Sequence, residues 1–487
     1  MMRGTVPIAL AVLVVLAGCA APVADPPGSS SPKAVGTEST VAHADVGGTP
    51  VTDRDDAAVD GEETADPEYD GPSTTGLEVR GGDLPFEENR TFERVQDLLE
   101  VELRSPVVYV EEPLSTPRGV ERNPSSFYAV MNVSLPDPDD AGDELGVGGA
   151  ASPMNAVYVM PDDEADPEEI ERVLVHELVH AAQFQERIPQ AFEAAVPTAH
   201  RGTTDADLTY VSVMEAGAVY GSSAYTAAAD VDVDPEGAVL ERRYPEAAPG
   251  TRLVWGPYYY GYQYVDDRYD SAAAHWEMYD DPPVTMQGVM TGAPGSETDL
   301  EPFDARLAAG DTEWSLTEAD TKGAFVAKLV LGTELETSES RAVVSGWEYD
   351  RLLRADHEGE DGDGYAWSLR FDRPDDAEAF EAAAVDYLEA RATDTEVDGE
   401  SIDGDVSTEV APAVTWHAED NAYALSSVDD RTVTILAGSE AFVEAATVEP
   451  AGSSDVRVVV DSDREDAPAI DDRAETTVTG QVSETTP

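Results

Sequence analysis

Two of the seven histidines in this 487-residue chain stand in the pattern H-E-x-x-H, as His176-Glu177-Leu178-Val179-His180. On a helix, positions i and i+4 lie one above the other on the same face. Both rings can therefore present a nitrogen to a single Zn²⁺. Glu177 then points beside the metal, where it can accept a proton from metal-bound water. The plainer reading is that these are ordinary polar residues on a half-buried helix. A catalytic zinc commonly takes three protein ligands and leaves one position for water. Glu215 is a candidate for the third. It follows His180 by 35 residues, far enough for an antiparallel helix to return to the metal. The alternative for a lone Glu in mid-helix is simple solvation.

The helix that must carry the pair is well signalled. Asp166 is placed to N-cap it, Pro167 fits the first helical position, and Glu168 and Glu169 suit the positive end of the helix dipole. Asp166 and Glu169 also have capping-box spacing. A strand is expected at 155–160, just before it. A second helix, at about 207–225, has Leu208, Val211, Met214, Ala218 and Val219 as its apolar face and Glu215 in its middle.

Charge restricts where such a protein works. There are 29 Lys+Arg against 101 Asp+Glu, a formal charge of −72. Few folds tolerate that self-repulsion in dilute buffer, but molar salt shortens the Debye length to about 3 Å. The composition is that of a salt-adapted, haloarchaeal protein. A disordered polyacid is excluded for most of the chain, which is 41% hydrophobic with 19 Tyr and 6 Trp. Nucleic acid is excluded as a partner, because phosphate binding needs a basic patch.

The chain opens with Met1-Met2-Arg3 and an apolar run ending Leu16-Ala17-Gly18-Cys19. Residues 1–18 read as a signal peptide. Leu-Ala-Gly-Cys resembles a lipobox, so Cys19, the only cysteine, is the expected lipid-bearing residue. The protein is then held by an N-terminal lipid on the extracellular face of the cell membrane. No second apolar run is long enough to span a bilayer. Residues 19–83 are an acidic, Pro/Gly/Ser/Thr-rich tether expected to be disordered, with folding starting near Leu84-Pro85-Phe86.

The expected fold class is α+β: a domain at 84–400 and a β-rich C-terminal extension at 401–461, followed by a disordered acidic tail at 462–487. Within the first, a helix is expected over 92–103, a strand over 106–110 and a strand or buried helix over 127–133, with a Gly/Pro/Asp-rich loop before 155. Asn89 and Asn132 head N-glycosylation sequons. Hairpin patterns fall at 413–416, 422–425 and 432–436, with a short helix at 440–446 capped by Ser439 and a further strand at 456–460.

Several motifs in one order resemble those of predicted gluzincin-type metallopeptidases of bacteria and archaea, many of them exported. The matching text is His176-Glu-Leu-Val-His-Ala-Ala-Gln-Phe-Gln185, then Val213-Met-Glu215-Ala-Gly-Ala218 and Pro257-Tyr-Tyr-Tyr-Gly261-Tyr-Gln-Tyr-Val265. Further on stand Met278-Tyr-Asp-Asp-Pro-Pro283-Val-Thr-Met-Gln287, Gly346-Trp-Glu-Tyr-Asp350-Arg351 and the segment from Trp367 to Phe380. The likeness covers roughly 85–395 and extends to a haloarchaeal surface-protein group of unknown function. It implies a zincin-like core with an edge strand above the metal, His176, His180 and Glu215 as zinc ligands, Glu177 as general base, and a peptide or protein substrate. Phe184, Ala216 and Thr291-Gly292 depart from the family's Asp, Gly and His-Pro.

The tyrosines of 257–264 are either core and rim packing or include a phenol that donates to the oxyanion, with Tyr260 the first candidate and His275, His200 and His417 alternatives. Asp350 and Arg351 read as a structural ion pair or cap. The leading expectation is a lipid-anchored zinc metallopeptidase. The rivals are a non-catalytic surface lipoprotein that retains the zincin fold for binding or envelope structure, and a solute-binding lipoprotein, for which no ligand fingerprint is present.

Cys19→Ser is expected to release the protein from the membrane fraction or block its maturation, measured by fractionation and intact mass. Retention and mass identical to wild type would show that Cys19 carries no lipid.

Overall fold

The computed structural model describes residues 76–461 apart from 111–125, 136–147, 162–164, 230, 311, 337–339, 341, 358–361, 397–413, 419–420 and 453–454. The signal peptide, Cys19, the tether up to residue 75 and the tail from 462 lie outside the described residues. Among those described, no helix is long and apolar enough to cross a membrane.

The chain is mixed α and β, consistent with the α+β class. It begins earlier than Leu84. Leu77 is buried, and β1 (Glu78–Arg80) pairs in parallel with a later strand. A parallel pair needs a crossover, here supplied by α1 (Glu88–Leu99) before β2 (Val107–Val110). The helix stops four residues short of the expected Leu103, because Glu100 turns into the left-handed region at φ 54°. Leu103 is still buried, as part of the loop that follows.

After α2 (Ser126–Val130) come β3 (Gly148–Ser152) and β4 (Ala156–Met160), completing a four-stranded sheet of order β1-β2-β4-β3. β3 is antiparallel to β4 and forms one edge. Alternation sorts the faces. Val108, Val157 and Val159 turn inward to a core shared with Val95, Leu99, Leu174 and Leu178, while Tyr109 and Tyr158 stack with ring centroids 5.2 Å apart.

The inward face is covered by α1 and by α3 (Pro167–Gln185). Asp166 caps α3 as expected, its carboxylate accepting from the Glu168 N–H at 3.3 Å. A helix absent from the expectations, α4 (Ile188–Ala195), then leads to the 26-residue α5 (Thr204–Ala229), α6 (Glu236–Arg243), α7 (Pro249–Asp266) and the short α8 (Met286–Thr291). α5 packs on α3 on one side and α7 on the other.

Beyond β5 (Ala305–Ala308) the chain forms β6 (Trp314–Asp320), α9 (Gly323–Leu331), β7 (Trp347–His357), β8 (Asp363–Phe371), α10 (Pro374–Arg391), β9 (Asp394–Glu396), β10 (Thr415–Ala418), β11 (Asn421–Ser427) and β12 (Thr432–Gly438). After α11 (Glu440–Ala445) come β13 (Ala446–Ala451) and β14 (Asp455–Val460). Seven strands make one antiparallel sheet of order β6-β7-β8-β12-β11-β10-β9, and β13-β14-β5 make a smaller one. Strands from beyond 414 share the larger sheet with strands from before 400: β12 lies in mid-sheet with Val433 opposite Leu369 and Ile435 opposite Trp367. Every residue of β12 is buried, and a strand buried on both faces belongs inside a sheet.

Asp350 locks this half together. Its buried carboxylate accepts from the Lys322 N–H at 2.8 Å, the Gly323 N–H at 2.7 Å, Trp347 Nε1 at 3.1 Å and Trp367 Nε1 at 2.9 Å. It is the cap of α9, joined to β7 and β8. Burial lifts its carboxyl to about 6 against the pull of those donors. Asp350→Asn aims a donor at other donors and is expected to cost about 3 kcal/mol. The matching fall in Tm is roughly 5–10 °C by thermal melts in molar salt. A loss below about 1 kcal/mol would show that the four bonds do not hold the sheet to α9.

Candidate metal centre

Burial of α3 is nearly complete from Arg172 to Gln183. One turn of it brings His176 and His180 together, with their Nε2 atoms 3.1 Å apart. From α5, Glu215 Oε2 comes within 3.2 Å of the first and 3.3 Å of the second. These three buried residues could hold a metal ion. The donor set suits Zn²⁺: tetrahedral bonds of about 2.0–2.1 Å place ligand atoms about 3.3 Å apart.

Each imidazole is fixed from behind. His176 Nδ1 lies 2.9 Å from Glu236 Oε2, which also accepts from Ser222 Oγ at 2.6 Å. His180 Nδ1 lies 2.7 Å from Gln183 Oε1, and Gln183 Nε2 donates to the Met214 carbonyl and the Tyr279 hydroxyl, both at 2.7 Å. Acceptors at both Nδ1 atoms select the Nδ1–H tautomer and leave both Nε2 lone pairs to converge. Glu236 opens α6 directly after Pro235.

Glu177 does not join the triad. Its side chain packs under the edge strand at Gly149, where a Cβ would come within 2.6 Å of Oε1, and Oε2 has no hydrogen-bond partner. Burial pushes its carboxyl up to about 7, although His176 and His180 pull it down. For Glu215 burial works upward too, but His180 and His176 outweigh it and hold the carboxyl below its ordinary value. Glu236 is held at about 2, chiefly by His176 overcoming burial. Burial disfavours a charged His176, yet Glu236 and Glu215 raise its pKa well above the ordinary range. Burial pushes all three carboxyls upward, and attraction and hydrogen bonding to the imidazoles are what bring Glu215 and Glu236 back below the ordinary value while Glu177 stays above it.

A family model described as "Domain of unknown function (DUF8575)" matches residues 308–449. The match covers less than half of the chain, falls on the C-terminal sheet and leaves out the triad. No curated protein and no solved structure matches.

The other expected site residues lie elsewhere. Tyr260 is not brought to the triad: its ring packs on Tyr244, Tyr259 and Phe325, with Lys328 Nζ 5.5 Å from its centroid. Two positions apart on a helix is about 200°, so its neighbour but one, Tyr258, faces the opposite way. The buried Tyr258 hydroxyl lies in the field of Glu215, Glu177 and Glu236 without a hydrogen bond of normal geometry, and burial first, then Glu215, holds its pKa well above the phenol range. His200 pairs with Asp205 at 3.0 Å. His275 has Nδ1 against the Ala272 carbonyl and its ring behind α5 at Gly217. His417 sits in β10, its carbonyl accepting from the Thr393 N–H at 2.8 Å. Asn89 Oδ1 accepts from the Leu77 N–H at 2.7 Å, and Asn132 Nδ2 donates to Glu334 at 2.9 Å.

Glu236, Tyr258 and Gly149 were not apparent from sequence. Gln183 carried a signal, since i+3 from His180 places it on the same face. Protein exposed to Zn²⁺ and dialysed in molar salt is expected to retain about one ion per chain, and His176→Ala or His180→Ala to lose it. Glu236→Gln keeps the ligands but is expected to weaken binding about 10- to 100-fold in chelator competition. Full zinc in both histidine variants would defeat the assignment.

Proposed function

We propose that this chain is a zinc metallopeptidase of the gluzincin type, tethered through Cys19 to the outer face of a haloarchaeal cell membrane, that hydrolyses peptide bonds. The observation that supports it best is the convergence of His176, His180 and Glu215 beside an uncommitted Glu177 oxygen. The sheet agrees with a zincin core: three parallel strands and an antiparallel edge, β3, lying against the base. Zinc, when bound, supplies Lewis-acid polarisation of a scissile carbonyl and makes water more acidic. Glu177 takes the proton of the attacking water at Oε2 and returns it to the leaving amine. Glu236 and Gln183 keep the imidazoles in register. The outer edge of β3 offers backbone groups to an extended peptide. Tyr258, whose buried hydroxyl feels Glu215, Glu177 and Glu236, takes the place of Tyr260 as the candidate phenol donor.

One observation favours the non-catalytic surface protein. The cavity bounded by Arg172, Val173, His176, Glu177 and Glu236 has room for only about one water molecule. A peptide does not fit in that space as it stands.

Glu177→Gln keeps the shape but cannot take the proton. Its metal content is expected to match wild type, while hydrolysis of a peptide library in molar salt falls by about 10²–10⁴. Glu215→Gln is expected to lose metal affinity itself. Equal metal retention in the two variants would remove Glu215 from the ligand set. Wild type that holds zinc but cleaves nothing in the library would favour the non-catalytic reading.

A further inference from the structure

We propose that Arg172 binds an anionic oxygen of the substrate, an inference that rests on the metallopeptidase reading. Arg172 lies one helical turn before His176 on α3, so Arg172, His176 and His180 form a single stripe. It is only 3% exposed, and neither Nε nor Nη1 has a hydrogen-bond partner. Among the described residues no carboxylate stands within ion-pair distance of it. Glu236, whose charge it feels, already accepts from His176 and Ser222.

A guanidinium buried with two idle donors is expensive unless something occupies them. Packing alone would be served by an apolar side chain of similar volume. The cavity it lines is the one that His176, Glu177 and Glu236 also line, and Glu177 Oε2 is idle there too. Unpaired guanidinium donors on a residue that lines a space for about one oxygen atom describe a receptor for an oxygen. The fixed fork of a guanidinium favours an anionic one. That oxygen has two sources. It belongs either to a carboxylate of the substrate, at its C-terminus or on an acidic side chain, or to the amide under attack as charge develops on it.

The test uses full-length, zinc-loaded protein carrying Glu177→Gln to stop turnover, with binding read by calorimetry in molar salt. N-acetyl-trialanine is compared with its amide for a C-terminal carboxylate. N-acetyl-Asp-Ala amide is compared with its Asn counterpart for a side chain. A phosphinic tripeptide amide represents the developing oxyanion. Arg172→Gln is expected to keep its zinc and to weaken at least one anionic probe by about 10- to 100-fold, with the uncharged amides unaffected. Arg172→Lys should recover part of the loss, and it carries the test if the Gln variant does not fold. The probe that weakens identifies the source of the oxygen. Anionic probes bound within twofold in both variants, or uncharged amides weakened equally, would overturn the proposal while the metallopeptidase reading stands. A parent that fails to load zinc, or loads it and binds no probe, defeats that reading and this proposal together, and shows it before any Arg172 variant is made.

Discussion

Glu177, Glu215 and Glu236 are 3%, 1% and 4% exposed, and all three are gathered around one turn of α3. Taking each ionised carboxylate out of water costs several kcal/mol unless a partner offsets it. The arrangement answers each differently. Glu215 faces two imidazole nitrogens, Glu236 holds His176 from behind and takes the Ser222 hydroxyl, and Glu177 is left with a carboxyl poised near neutrality. A buried acid cluster of this kind is stable only with positive charge at its centre. Protonated histidines or a bound cation both provide it, and so the same interface that demands a cation is shaped to receive one.

Bringing these groups together requires backbones closer than ordinary side chains permit. At Gly221 a Cβ would stand 2.9 Å from Val179 on α3, and at Gly261 it would stand 2.6 Å from the Ser212 carbonyl on α5. Glycine at these contacts lets α5 lie tightly between α3 and α7, which sets how far the Glu215 carboxylate reaches. Gly217 plays the same part for the support of His180. A Cβ there would strike Tyr279 and come within 3.0 Å of Gln183 Nε2, breaking the chain of bonds that ends at the imidazole. Gly149 does so for Glu177, since a Cβ at that position would come within 2.6 Å of its carboxylate oxygen.

What sequence could show follows the range of each interaction. His176, Glu177 and His180 are related by helical repeat alone, so their shared face and the Asp166 cap could be read directly. Glu215 needed only the idea of an antiparallel return. Glu236 and Arg172 were invisible because their partners are fixed by packing between elements, and no periodicity encodes that. The choice between Tyr258 and Tyr260 turned on whether the segment was helix or strand, which the tyrosines left open. β3 was hidden because Gly-Gly-Ala-Ala-Ser carries no strand propensity; its pairing with β4 makes it a strand. The pairing of β8 with β12 was not legible because hairpin signals report neighbours in sequence, while these two strands are joined across the chain.

The C-terminal half, where the family model of unknown function matches, is also tied to the helix that carries Glu215. Asp320, at the end of β6, accepts from the Thr204 N–H at 2.9 Å and the Thr204 hydroxyl at 2.5 Å, and Thr321 gives its carbonyl to the Asp205 N–H at 3.1 Å. These bonds satisfy amides at the N-terminus of α5 that have no partner within the helix. Gly323 must be glycine, both for its φ of 83° and because Asp205 fills the place of a Cβ, while its own N–H goes to Asp350. Asp350 in turn ties Trp347 and Trp367 to the same corner. The start of α5 is thus pinned by β6 and α9, and its middle by α3 and α7. A 26-residue helix held at two places has little freedom to shift along its axis. Since a slip of one residue would rotate Glu215 by about 100° away from the imidazoles, the sheet downstream is part of what keeps Glu215 beside them.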